Sequence, residues 1–183
     1  GCRMIRHLTP ADYRQMAWAN GKGVTVEMLR IETDAGLQYR ISRASVVEAG
    51  DFSIFPQIER NLTVISGPGF DLRGKGVAMQ ARPLQPIAFA GDLPLRAEAV
   101  PAPSDDFNVM SARALPPPEV TVHAAPETLP EWGILAIYAL GVGVVNDLSV
   151  GLYDLILTDQ AARIDGHFIL ARFQQAAWAD LAR

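Results

Sequence analysis

The sequence predicts an all-β protein, a double jelly-roll barrel with short helical additions. Two observations carry this. The first is a glycine-framed stretch from Gly50 to Gly69; the second is a set of strand and glycine-turn signals that recurs on both sides of a proline-rich segment. A chain of 183 residues that is 49% hydrophobic is long enough and apolar enough to fill such a core.

Thr9-Pro10-Ala11-Asp12 is the start of a short helix running to about Met16: threonine can cap, proline suits the first position, and Asp12 complements the dipole. A glycine-punctuated loop from Trp18 leads into a strand whose alternation places Thr25, Glu27 and Leu29 on one face. Leu37 to Val47 is the next strand. In the Gly50–Gly69 stretch and beyond it, Asn61 to Ile65 is expected to pair with Gly69 to Leu72 across Gly67-Pro68-Gly69. Gly74-Lys75-Gly76 then offers a second turn before Val77 to Ala81. Pro86 to Asp92 and Leu93 to Val100 close a first half, residues 1–100.

Seven of the 13 prolines fall between Pro101 and Pro130, so residues 101–130 are expected to be a surface connector without central strands. Strand signals resume over Ile134 to Leu140, Val142 to Asn146, Gly151 to Leu157 and Asp165 to Phe173, giving a second half, residues 131–183. Leu62-Thr-Val-Ile and Leu135-Ala-Ile-Tyr, each followed by a glycine turn, mark the repeat; the two halves are expected to pack as one unit. The alanine-rich tail from Gln174 is expected to be a closing helix.

Charge and cysteine usage bound the function. Sixteen basic and 20 acidic residues are interspersed for a net charge of −4, with no basic stripe for a nucleic-acid backbone. The lone Cys2 cannot form an internal disulfide, and with no apolar signal segment after Arg3 and Arg6 a cytoplasmic location is expected. The run from Trp132 to Val145 is too short and glycine-broken to span a membrane, and reads as a buried strand pair.

The spacing of glycines around Gly50–Gly69 is that of the first cupin motif. The places where metal-binding cupins carry two histidines and a glutamate hold Pro56, Ile58 and Arg60 here, so no metal and no cofactor are expected. Further along, the segments Trp18 to Glu27, Tyr39-Arg-Ile-Ser42, Gly50 to Phe55, Arg60 and Asp106-Phe-Asn-Val-Met110 together resemble the HutD/Ves family of bacterial bicupins, over nearly the whole chain. The resemblance implies a cytoplasmic bicupin associated with histidine utilisation, binding formiminoglutamate or a related carboxylate and restraining that pathway. It departs at Ala19, where the family usually has lysine; a lysine stands instead at Lys22.

The candidate ligand-binding residues follow from residue type and from this resemblance. Arg40 and Arg60 can each clamp a carboxylate with parallel hydrogen bonds. Thr25 and Ser42 accompany them on motif strands, and Asn20 with Gly21 and Gly23 can present backbone amides to an anion or simply form a turn. Phe52 and Phe55 wall a barrel mouth, while Asp106 and Asn108 reach over it from the connector or form an Asx turn. No catalytic residue is assigned. Glu27 is either an ion-pair partner of Arg40 or Arg60, or the general base of an alternative reading, a metal-free enzyme acting on a formimino or sugar-like substrate. A third reading, a structural or protein-binding module, requires a barrel filled by large apolar side chains. The expected partner is a small carboxylate metabolite, with a homodimer as the expected assembly.

Overall fold

Period-two alternation builds almost the whole chain into strands. The computed structural model describes residues 4–19, 21 and 23–174. In chain order its strands are β1 (Ile5–Leu8), β2 (Arg14–Ala17), β3 (Val24–Thr33), β4 (Gly36–Val46), β5 (Gly50–Asp51), β6 (Ile58–Ser66), β7 (Phe70–Gly74), β8 (Val77–Ala81), β9 (Ile87–Ala90) and β10 (Arg96–Glu98). There follow β11 (Ser104–Ala112), β12 (Glu119–His123), β13 (Glu127–Leu129), β14 (Ile134–Ala139), β15 (Gly143–Val145), β16 (Leu148–Val150), β17 (Leu155–Thr158), β18 (Ala162–Asp165) and β19 (Phe168–Phe173).

The strands fall into two units, one spanning Arg14–Leu115 and the other joining the N-terminal segment through Tyr13 to the chain from Pro116 onward. In the first unit a six-stranded sheet, β2-β3-β4-β11-β6-β9, packs against a four-stranded one, β5-β10-β7-β8. Val46, Leu62 and Val64 of the larger sheet meet Phe70, Leu72 and Ala97 of the smaller in one core. In the second unit a five-stranded sheet, β1-β17-β14-β19-β12, packs on β13-β18-β15-β16. Leu135, Ile137, Ile156 and Leu170 interlock there with Val145, Val150 and Ile164. Each fully buried Leu, Ile or Val contributes about 1.5–3 kcal/mol, which holds both sandwiches together. This is the double jelly-roll, cupin-type fold expected, with each half a pair of facing sheets rather than a closed barrel.

Several local expectations change. The segment after Thr9 forms only a 3₁₀ turn, Pro10–Asp12, because residues from Arg14 onward pair with β3 instead of continuing a helix. The Asp12 carboxylate does accept the Thr9 backbone N–H, at 2.8 Å. Gly74-Lys75-Gly76 makes the predicted hairpin, with Phe70 opposite Ala81. Gly67-Pro68-Gly69 does not: β6 and β7 lie in different sheets, and the turn is a corner between them. Glycine is required there, since Gly67 has φ +83° and a Cβ would sit 2.3 Å from the Pro103 carbonyl oxygen. Likewise β14 and β15 are not a strand pair but members of opposing sheets.

The largest correction concerns the proline-rich segment. β11 lies inside it and is a central strand, paired with β4 on one side and β6 on the other. Pro101 and Pro103 precede it and Pro116 to Pro118 follow it, so the prolines bracket the strand and cost it no ladder hydrogen bond. β12 and β13 fit between the later prolines in the same way. The N-terminal strand β1 pairs with β17, which places it with the C-terminal strands and not with residues 14–115. The expected closing helix of the tail lies, beyond Gln174, outside the described residues. No helix among the described residues is long and apolar enough to cross a membrane.

Candidate functional site

The six-stranded sheet of the first unit turns one face toward its partner sheet, and register decides which side chains stand on it. Arg40 pairs with Met110, Met110 with Arg60, and Arg60 with Phe89; two residues along, Ser42 pairs with Asn108, and two further, Ala44 pairs with Asp106. Leu62 and Val64 continue the same face of β6 into the apolar core. The inner face is thus divided into an apolar part and a polar part. Above the polar part lies a cavity of about 670 Å³, whose lining includes Arg30, Arg40, Ser42, Arg60, Asp106 and Asn108.

Arg60 stands at the centre of this arrangement. Its guanidinium carbon lies 5.3 Å from the ring centres of Phe52 and Phe55 and 5.1 Å from that of Phe89, so three aromatic faces surround the cation. Its Nη2 donates to Asn108 Oδ1 at 2.9 Å, while its buried Nε has no hydrogen-bond partner among the described residues. Among the described residues no carboxylate lies within ion-pair distance of Arg60. Burial lowers its pKa to about 10, with Asp106 opposing the shift and Arg40 adding to it, so the side chain remains a cation at neutral pH.

Asn108 links this cation to an acid. Because an arginine can only donate, Arg60 fixes the Asn108 amide with its oxygen toward the guanidinium and its nitrogen toward Asp106, where Nδ2 donates to Oδ1 at 2.5 Å. Asp106 is only 2% exposed. Burial pushes its carboxyl up to about 7, the Asn108 hydrogen bond and Arg60 hold it back, and Asp105 adds to the rise. Asp105 itself faces the other way and accepts a hydrogen bond from Ser45 Oγ.

Glu27 organises the other wall. A β-bulge between Glu27 and Leu29 shifts the register of β3, so that Arg30 and not Leu29 comes opposite Arg40. Glu27 Oε1 then accepts from Arg40 Nε at 2.7 Å and from Arg30 Nε at 2.8 Å, leaving the outer nitrogens of both arginines to other partners. Of the two roles open to Glu27, the ion pair with Arg40 is the arrangement found, with Arg30 as second partner. Trp18 closes this end: its Nε1 donates to Thr25 Oγ1 at 2.9 Å, and its ring packs so closely on Gly23 that a Cβ there would meet it at 2.8 Å.

The structure therefore brings Thr25, Arg40, Ser42, Phe52, Phe55, Arg60, Asp106 and Asn108 onto one cavity. Glu27 stands behind its wall through the arginines. Asn20 lies outside the described residues; Gly21 N–H donates to the Trp18 carbonyl at 3.0 Å and Trp18 N–H to the Gly23 carbonyl at 2.8 Å, which is turn bonding. Asp106 and Asn108 do not reach over the mouth from a connector but form part of its floor on β11. Arg40 and Arg60 are not on neighbouring strands, since β11 runs between β4 and β6. Phe55 is carried on a loop pinned by Gly91, whose N–H donates to the Ile58 carbonyl and whose carbonyl accepts from Phe55 N–H. Arg30 and Phe89 were not among the sequence candidates. The bulge that brings Arg30 opposite Arg40 has no local signature, and Phe89, though in a strand expected after Pro86, meets Arg60 only through the pairing of β9 with β6. Among the described residues no cluster of three or more His, Cys, Asp or Glu side chains converges.

This chain is similar to several known proteins. It is 36% identical over 98 residues to protein Ves of Cronobacter sakazakii, covering 52% of this chain and 54% of that protein. It is 34% identical over 113 residues to an uncharacterized 21.2 kDa protein in the hutC 3' region of Pseudomonas putida, covering 59% and 58% respectively. In these alignments the chain spans little more than half the length of either relative. The solved structure of HutD from Pseudomonas fluorescens superposes with a TM-score of 0.86 at 26% identity, over 94% of this chain and 100% of that one. The HutD family model matches residues 10–165, most of both sandwiches and the entire polar face described above; the chain belongs to the HutD family.

Proposed function

We propose that this protein is a small-metabolite-binding cupin that holds formiminoglutamate or a similar carboxylate in the cavity of its first unit and thereby regulates histidine utilisation. The observation that carries the reading is Arg60, a buried cation faced by three aromatic rings and left without a carboxylate partner among the described residues. A buried charge in that state gains most from an anion that fits the cavity. Arg40 and Arg30 offer a second cationic locus across Met110, which suits a ligand with two carboxylates. Of Glu27 and Asp106, the two acids considered for the cationic formimino nitrogen, Glu27 is already held by two arginines, which favours Asp106 on the cavity floor. The hutC context of the Pseudomonas putida relative and the family itself support the link to histidine utilisation.

Titration calorimetry with formiminoglutamate tests this. A charge-assisted hydrogen bond is worth roughly 1.5–3 kcal/mol, so Arg40→Met and Arg60→Met should each weaken binding by about 10- to 150-fold. Lysine in either place should restore only part of the loss, for want of the parallel pair of donors. Absence of heat with formiminoglutamate, urocanate and glutamate, or unchanged affinity in both variants, would overturn the proposal. Product formed from formiminoglutamate by the wild type would make the protein an enzyme.

A further inference from the structure

Asp106 has no role in anchoring an anion, yet it sits under the cavity that receives one. It is joined to Arg60 through a single amide, so an anion held by Arg60 also lies near the Asp106 carboxyl. The charged groups around it are few and placed: Arg60 on β6, Arg40 on β4, Glu27 and Arg30 on β3 behind the cavity wall, Asp105 turned away on β11, and Glu48 and Asp51 along the cavity's lining. Of these, Arg60 is the cation that acts on Asp106 directly.

Resting on the reading that this cavity binds a carboxylate, we propose that Asp106 is its specificity-determining residue, exchanging a proton with solvent according to the charge of the ligand's second end. A ligand that brings a cationic nitrogen to Asp106 stabilises the carboxylate, and the proton leaves to solvent. A plain dicarboxylate adds a second negative charge beside Asp106, and the carboxyl takes a proton up and donates it as a hydrogen bond. Asn108 permits both states, because its Nδ2 donates to Oδ1 whether or not the acid carries a proton. A carboxyl poised near neutrality thus lets one cavity accept both ligand types and distinguish them by pH.

The test is calorimetry on the wild-type chain at pH 7 in phosphate and in Tris, whose ionisation enthalpies differ, with formiminoglutamate and glutarate as probes. With Asp106 half-protonated, about half a proton per ligand should be released with formiminoglutamate and about half a proton taken up with glutarate. Between pH 6 and 8 the affinity for glutarate should fall as pH rises while that for formiminoglutamate increases. In Asp106→Asn both proton counts should drop to near zero and the glutarate profile should flatten. Equal proton counts for the two probes, counts that survive in Asp106→Asn, or glutarate that fails to bind at pH 6 where formiminoglutamate binds, would overturn the proposal and leave the binding reading standing. No heat from either probe would overturn both.

Discussion

The two units share an architecture and differ in what their inner faces carry. In the second, β14, β17 and β19 point Leu135, Ile137, Ile156, Phe168 and Leu170 inward, and aliphatic and aromatic side chains fill the space between its sheets. In the first, the corresponding sheet replaces part of that core by Arg40, Ser42, Asn108, Asp106 and Arg60, and opens a cavity of about 670 Å³ above them. A filled half is what the structural-module reading requires, and one half satisfies it. The other keeps a cluster of buried polar groups that cost desolvation energy, and such groups mark a site when they converge on open space.

That contrast can be broken from either side. Ile137→Ala in the filled half removes a fully buried side chain and should cost about 2–5 kcal/mol in chemical denaturation while leaving the affinity for formiminoglutamate unchanged. In the open half, Asn108→Leu keeps approximate volume but strips Arg60 Nη2 and Asp106 Oδ1 of their shared partner. It should cost about 1.5–3 kcal/mol of stability and also weaken binding, and an unaltered midpoint would show that the polar relay is not structural.

A further effect separates the halves by pH. Asp106 is raised to about 7 in the folded chain against an ordinary aspartate value of about 3.9. The folded state therefore holds a proton that the unfolded chain releases between those values. This group's contribution to stability is fully present below about pH 4 and is lost as pH rises through about 7. Asp106→Asn mimics the protonated acid, so its melting temperature should gain on the wild type between pH 5 and pH 8; a constant difference over that range would show that Asp106 is not the titrating group.

How much of this could be read from the sequence depends on whether the determining contact is local. The β7–β8 hairpin was legible because its glycines and its alternation lie within a dozen residues. The common face of Arg40 and Ser42 follows from period-two spacing alone, whereas that of Asp106 and Asn108 follows only once β11 is known to be a strand. What alternation cannot say is which strands become neighbours: β11 pairs with strands dozens of residues away, and the prolines at its ends made a central strand read as a connector. The bulge at Met28 is similarly silent, because it is set by pairing with β4, and it hid Arg30. The aromatic enclosure of Arg60 was half legible, through Phe52 and Phe55, since Phe89 joins them only when β9 pairs with β6.

The central claim is that ligand binding belongs to the open half and is built on Arg60. Arginine Nε–H and backbone amide resonances, followed by heteronuclear NMR as formiminoglutamate is added, test it most directly. The largest changes are expected at Arg60 Nε–H, whose nitrogen has no partner among the described residues, with further shifts at Arg40 and Asn108 and none among Ile134–Ala139 or Phe168–Phe173. Shifts centred on those two strands, or saturation with the Arg60 signal unmoved, would contradict the account.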